Sequence, residues 1–237
     1  MKQQKTAIYI LIVYCMMQLS GALFIPLLRK FFTSLDVENP ILIAAGWWIF
    51  LSMGIATVIT LLIIRKDKAF LRPLKGAPFS LAKTIGWGVI GFFLVFLGQI
   101  IAANIELALG VEPGSQNTAQ FIEIAHGVPF VIFSIVIFAP ILEELIFRRI
   151  IFGMLLPKTN FFVAASVSAI AFGAIHFEFT HILLYAVSGF IFAYIYYKTK
   201  RIIASIVSHM LLNGFVTVFQ FYGDTIQKFL ETYSQMP

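Results

Sequence analysis

The chain has 237 residues, 60% of them hydrophobic and only 12% charged, with a net charge of +6. Soluble domains carry roughly 25% charged residues, so there are too few polar side chains here to cover a soluble surface, and lipid must be the solvent for most of it. The basic residues fall in short clusters between apolar runs and form no stripe beside stacking aromatics, which argues against nucleic acid and for topology signals that meet anionic headgroups.

A membrane span needs about 20 apolar residues. In chain order the segments that qualify or nearly do are 7–28, 40–64, 84–109, 128–156, 160–179, 181–197 and 202–222. The first follows MKQQK without a small-residue cleavage site, so it reads as a retained helix and not as a signal peptide. It also holds the single cysteine, Cys15, which leaves no disulfide framework and no cysteine-based metal site. Residues 65–83 mix Lys and Arg with Phe70, Leu71, Leu74, Phe79 and Leu81, and read equally well as a segment lying on the inner headgroup layer or as a solvated basic loop. The fourth segment is too long for a simple span. Trp47, Trp48 and Trp87 near span ends read as interfacial anchors.

Cytoplasmic loops carry an excess of Lys and Arg. Lys2 and Lys5 precede the first span, Arg65 to Lys83 follow the second, Lys158 the fourth, and Lys198, Lys200 and Arg201 the sixth, whereas residues 110–127 hold Glu112 and Glu123 and no Lys or Arg. The N-terminus is therefore expected in the cytoplasm. The expected fold is all-α, a polytopic membrane bundle of about seven to eight transmembrane helices forming one domain, residues 1–237.

The fourth segment contains APILEELIFRRIIF. A charged side chain at the centre of a membrane helix costs ~2.5–3.5 kcal/mol on insertion scales, so the two glutamates and two arginines need partners. On an α-helix Glu144 and Arg148 are i,i+4 and neutralise each other, while Glu143 is turned onto a neighbouring face with no partner. Arg149 reads as pairing with a neighbouring helix or snorkelling to phosphate. Pro140 deprives the Val136 carbonyl of its helical donor, and the resulting kink suggests a water-containing cavity. His176 lies late in the fifth segment, and His209 and Asn213 are i,i+4 in the seventh. If the fourth helix runs on through Leu156 to Pro157, Glu143 lies ~21 Å, His176 ~22 Å, His209 ~12 Å and Asn213 ~18 Å from the cytoplasmic boundary. At those depths they can meet. Ending the helix at Arg149 would leave Glu143 only ~9 Å deep and break the site apart, so the long helix is preferred. The motif-bearing core is residues 128–214.

Glu143-Glu144-x-x-x-Arg148, Phe172-x-x-x-His176 and His209-x-x-x-Asn213, in that order and each on a membrane helix, resemble the signature of the CAAX-processing and bacteriocin-processing intramembrane proteases, the Abi family, related to the Ras-converting prenyl-protein endopeptidase. The resemblance implies an intramembrane endopeptidase in which Glu143 activates water, His176 orients it, and His209 with Asn213 stabilises the oxyanion. Glu144 is then supporting structure with Arg148, or a second catalytic acid. Phe172 is a supporting residue. The implied substrate is a membrane-bound peptide, prenylated in eukaryotic relatives and linked to peptide maturation and self-immunity in bacterial ones, reached laterally or from the cytoplasm. A bacterial plasma membrane is the expected location.

Zinc is the alternative: Glu143, His176 and His209 make a three-ligand set with an open position. Metal-free hydrolysis is preferred because the spacing is not that of H-E-x-x-H and Asn213 is an unusual zinc ligand, and no other cofactor is implied. The rival of another class is a transporter or an immunity or scaffold protein using the same polar cluster, but the paired broken halves of transporters are not seen. A lone mid-membrane histidine often only links helices; that reading weakens when His176 and His209 accompany Glu143 and Asn213. His126 and His181 read as interfacial, and Glu178 as shaping the cavity mouth without a catalytic role.

Overall fold

A computed structural model describes residues 2–72 and 74–234. They form α1 (Lys2–Ser34), α2 (Pro40–Arg65), α3 (Leu81–Ala108), α4 (Gln116–Gly127), α5 (the unbroken helical stretch 131–158), α6 (Phe161–Ala174), α7 (Ile182–Thr199), α8 (Ile202–Phe221) and α9 (Gly223–Ser234). The chain is an all-α polytopic membrane bundle. Five helices, α1, α2, α3, α7 with its leading turn, and α8, are long and apolar enough to cross a bilayer, and only 17–39% of each apolar window is buried in the protein. The remaining apolar surface, from Leu19 on α1 to Ile101 on α3, needs lipid as its solvent. At 14 residues α6 is shorter.

α5 runs through FGMLL to Lys158, but it is not a plain α-helix. It widens to i→i+5 turns over Ser134–Phe138 and Glu144–Phe152, on either side of the α-helical Ala139–Glu143. The amide of Ala139 donates to the carbonyl of Ser134 in that wider register. One residue on, the same register would call on Pro140, which has no N–H. The carbonyl left over is thus that of Ile135, not Val136 as an α-helical reading supposes, and the side-chain amide of Asn213 donates to it at 2.9 Å. Wide turns of this kind are rare and cluster at functional sites.

Close helix approach rests on small residues. On α3, Gly88 and Gly91 face α8, and Ser208 donates to the Gly88 carbonyl at 2.8 Å; Gly189 of α7 lies against Ala169 of α6.

Two regions differ from the sequence expectation. Residues 110–127 are not simply loop, because Ser115 caps the 12-residue α4 by accepting from the Thr118 amide at 3.0 Å. Nor is 65–83 a purely superficial segment. Its turn Lys68–Leu71 inserts Phe70 fully into the core, and Asp67 is buried against the Thr6 hydroxyl at 2.8 Å; Pro73 of this segment lies outside the described residues. Trp48, read from the sequence as an interfacial anchor, stacks on Phe24 and donates to Ser20 within a cavity wall.

Candidate active site

Glu143, His176, His209 and Asn213 come from α5, the turn after α6, and α8, and all four line one cavity of about 640 Å³. Glu144 and Arg148 lie behind its wall, fully buried. Their i,i+4 relation brings Arg148 Nε to 3.3 Å from Glu144 Oε2. The guanidinium makes no hydrogen bond to any described residue. It rests instead in an aromatic box, 4.3 Å from the Phe172 ring centroid, 5.1 Å from Phe192 and 5.9 Å from Phe147. A desolvated cation over ring faces is held by their quadrupoles, and this box keeps Arg148 beside Glu144.

The histidine of α8 changes the reading of the two glutamates. His209 Nδ1 is 3.0 Å from Glu144 Oε1, and its Nε2 is 3.7 Å from Glu143 Oε2. One imidazole therefore lies between the two carboxylates. Among the described residues Glu144 has two partners, Arg148 and His209, and Glu143 has only the longer contact; the Glu143 side chain is 14% exposed where that of Glu144 is 0%. His209 is fixed from the other side by stacking on Phe192 at 4.7 Å. With Nδ1–H donated to Glu144, the ring turns Nε2 toward the cavity.

His176 sits beyond the last residue of α6, not within the helix. Phe177 adopts a left-handed backbone, φ 56°, and ends the turn there. His176 Nδ1 is 2.8 Å from the Phe172 carbonyl, so this nitrogen carries the proton and Nε2 is the one left to the cavity. The ring stacks on Tyr185 at 4.0 Å. Phe172 links the whole site, with edge contacts to both histidine rings at 5.0 and 5.7 Å.

Sequence reasoning gave Glu178 too small a part. Its carboxylate accepts from Tyr185 Oη and Ser115 Oγ, both at 2.7 Å, and from the Asn117 amide at 2.8 Å. It thereby fixes the tyrosine under His176 and ties α4 across the cavity. Burial pushes this carboxyl up, but the three donated hydrogen bonds outweigh that and hold it below the usual carboxylate range. Nearby, Glu106 accepts from His181 Nδ1 at 2.9 Å and from the Leu184 amide at 3.1 Å, so Glu106 orders the start of α7. His126 stacks on Phe221. Arg149 points away from the site, donating to the Phe70 carbonyl and to Gln3 and lying 4.0 Å over the Phe70 ring.

Among the described residues no three His, Cys, Asp or Glu side chains converge as a metal-ligand set.

Residues 125–215, the stretch holding all of these motifs, match the type II CAAX prenyl endopeptidase Rce1-like family. The chain is 39% identical over 230 residues to the putative membrane peptidase YdiL of Bacillus subtilis (strain 168), covering 95% of this chain and 93% of that one. It belongs to the Rce1-like family of CAAX-type membrane proteases. The membrane-embedded CAAX protease MroQ of Staphylococcus aureus (strain USA300) is 39% identical over 143 residues, 57% of this chain and 58% of that protein. The UPF0177 protein YxdF of Lactococcus lactis subsp. lactis (strain IL1403) is 34% identical over 101 residues, 42% and 51% of the two chains. No solved structure matches.

Proposed function

We propose that this membrane protease is an intramembrane endopeptidase that hydrolyses a peptide bond with water activated by Glu143. The observation that carries the reading is the inequality of the two glutamates: Glu144 is closed off by Arg148 and His209, while Glu143 opens to the cavity. Glu143 takes a proton from water as its oxygen attacks the carbonyl carbon, then returns that proton to the departing amine. His176 offers Nε2 to orient the water. His209 Nε2 and the second proton of the Asn213 amide polarise the carbonyl oxygen, where each preorganised donor is typically worth ~10²-fold or more in rate. Donation from Nε2 while Nδ1–H serves Glu144 requires both ring nitrogens to be protonated, and a cationic ring balances the charge of Glu143, since Arg148 offsets Glu144. Phe172 and Arg148 position these groups.

The membrane arrangement proposed with this chemistry adds α5 and α6 to the five clear spans, giving seven in a single domain of a bacterial plasma membrane, with the N-terminus cytoplasmic. Purified protein is to be incubated with lipidated and unlipidated peptides, with and without chelator, and products read by mass. Chelator-insensitive cleavage is expected; cleavage that a chelator stops and zinc restores would overturn the metal-free mechanism.

A further inference from the structure

The cavity has a direction. On five of the helices that wall it, α2, α3, α5, α7 and α8, the contributing residues occupy the part away from the end marked by Lys and Arg. α3 begins beside Lys83 and contributes Gln99 and Glu106, near its other end. α2 ends at Arg65 and contributes Trp48 to Met53, from its opposite half. α8 begins after Arg201 and contributes from His209 through Gln220. α7 contributes from Leu184 to Phe192, short of Lys198, and α5 from Ser134 to Glu143, far from Lys158. The rim is completed by exposed Glu112, Pro113, Gly114 and Phe177, and no Lys or Arg of the described residues lines any part of the cavity. The opposite end holds Lys2, Lys5, Lys66, Lys68, Arg72, Lys75, Lys158, Lys198 and Lys200, against Arg29, Lys30 and Lys228 on the rim's side. Such an excess marks the cytoplasmic face.

We infer that the mouth of the cavity faces away from the cytoplasm, so that the substrate is an extracytoplasmic segment: the exported part of a secreted peptide, or the outer end of a membrane-anchored one. This rests on the protease reading for its chemistry but not for its direction. Glu178 and the Ser115 cap then stand at the outer rim, tying α4 beside the opening.

The test uses the whole protein in cells. In a Cys15→Ser background, which removes the one native thiol, single cysteines are placed at the rim (Glu112→Cys), in the cavity wall (Val216→Cys) and at the basic end (Lys158→Cys). A membrane-impermeant maleimide added to intact cells is expected to label the first two, and the third only after permeabilisation. Labelling of Lys158→Cys in intact cells, or of Val216→Cys only after permeabilisation, would overturn the inference. A second arm offers an impermeant peptide to right-side-out and inside-out vesicles, with Glu143→Gln as control. Cleavage confined to right-side-out vesicles supports the substrate class, and cleavage confined to inverted ones overturns it. If neither cleaves, the protease reading fails while the labelling still decides the direction of the mouth.

Discussion

Glu144, Arg148 and His209 form a buried unit in which each member compensates another. Removing one partner of a buried pair costs about 3–5 kcal/mol, because the remaining charge is stranded, whereas replacing both with neutral groups of similar shape is often close to neutral. Arg148→Ala should therefore lower thermal stability in detergent markedly, and Glu144→Gln with Arg148→Met should recover most of that loss. If the double variant is as unstable as Arg148→Ala, the pairing account is wrong and the aromatic box carries the stability. The Glu144–Arg148 pairing is legible in the sequence because i,i+4 is a local relation. The reach of His209 to both glutamates is not, since it depends on a residue 65 positions away.

At the scale of elements, two junctions determine whether the site forms. The first is α4 held by Glu178. A carboxyl whose pKa is lowered by folding contributes stability above its unfolded pKa, and that contribution disappears as pH falls through its lower folded value. The stability difference between the wild type and Glu178→Gln should accordingly be largest near neutrality and vanish below the usual carboxylate range, with the Asn117 amide losing hydrogen-exchange protection over the same interval. A pH-independent difference would contradict this. The second junction is α3 against α8, where a side chain at Gly91 meets Ser208 and Ile195. Gly91→Val should destabilise by about 1–3 kcal/mol through overpacking, read as a lowered melting temperature; an unchanged melt would mean that the helices are free to move apart. Sequence reading found the long apolar helices and the continuation of α5 to Lys158. It missed α4, although Ser115 is a good cap, because a 12-residue helix falls below the length used to find spans. Glu178 was undervalued because Ser115 and Asn117 are more than 60 residues away in sequence.

For the molecule as a whole, composition establishes a lipid-solvated helical bundle, and the uneven distribution of Lys and Arg supports the orientation proposed above. What composition cannot supply is the path of the cavity, which appears only when α2, α3, α5, α7 and α8 are seen to contribute the half of their length away from their basic ends. The proposed chemistry rests on one assignment, that Glu143 and not Glu144 activates water. The most direct measurement is peptide cleavage by purified Glu143→Gln and wild-type protein, compared at matched melting temperature. A loss of ~10²-fold or more with the fold intact is predicted, in keeping with the usual contribution of a general base. Wild-type cleavage by Glu143→Gln would contradict it.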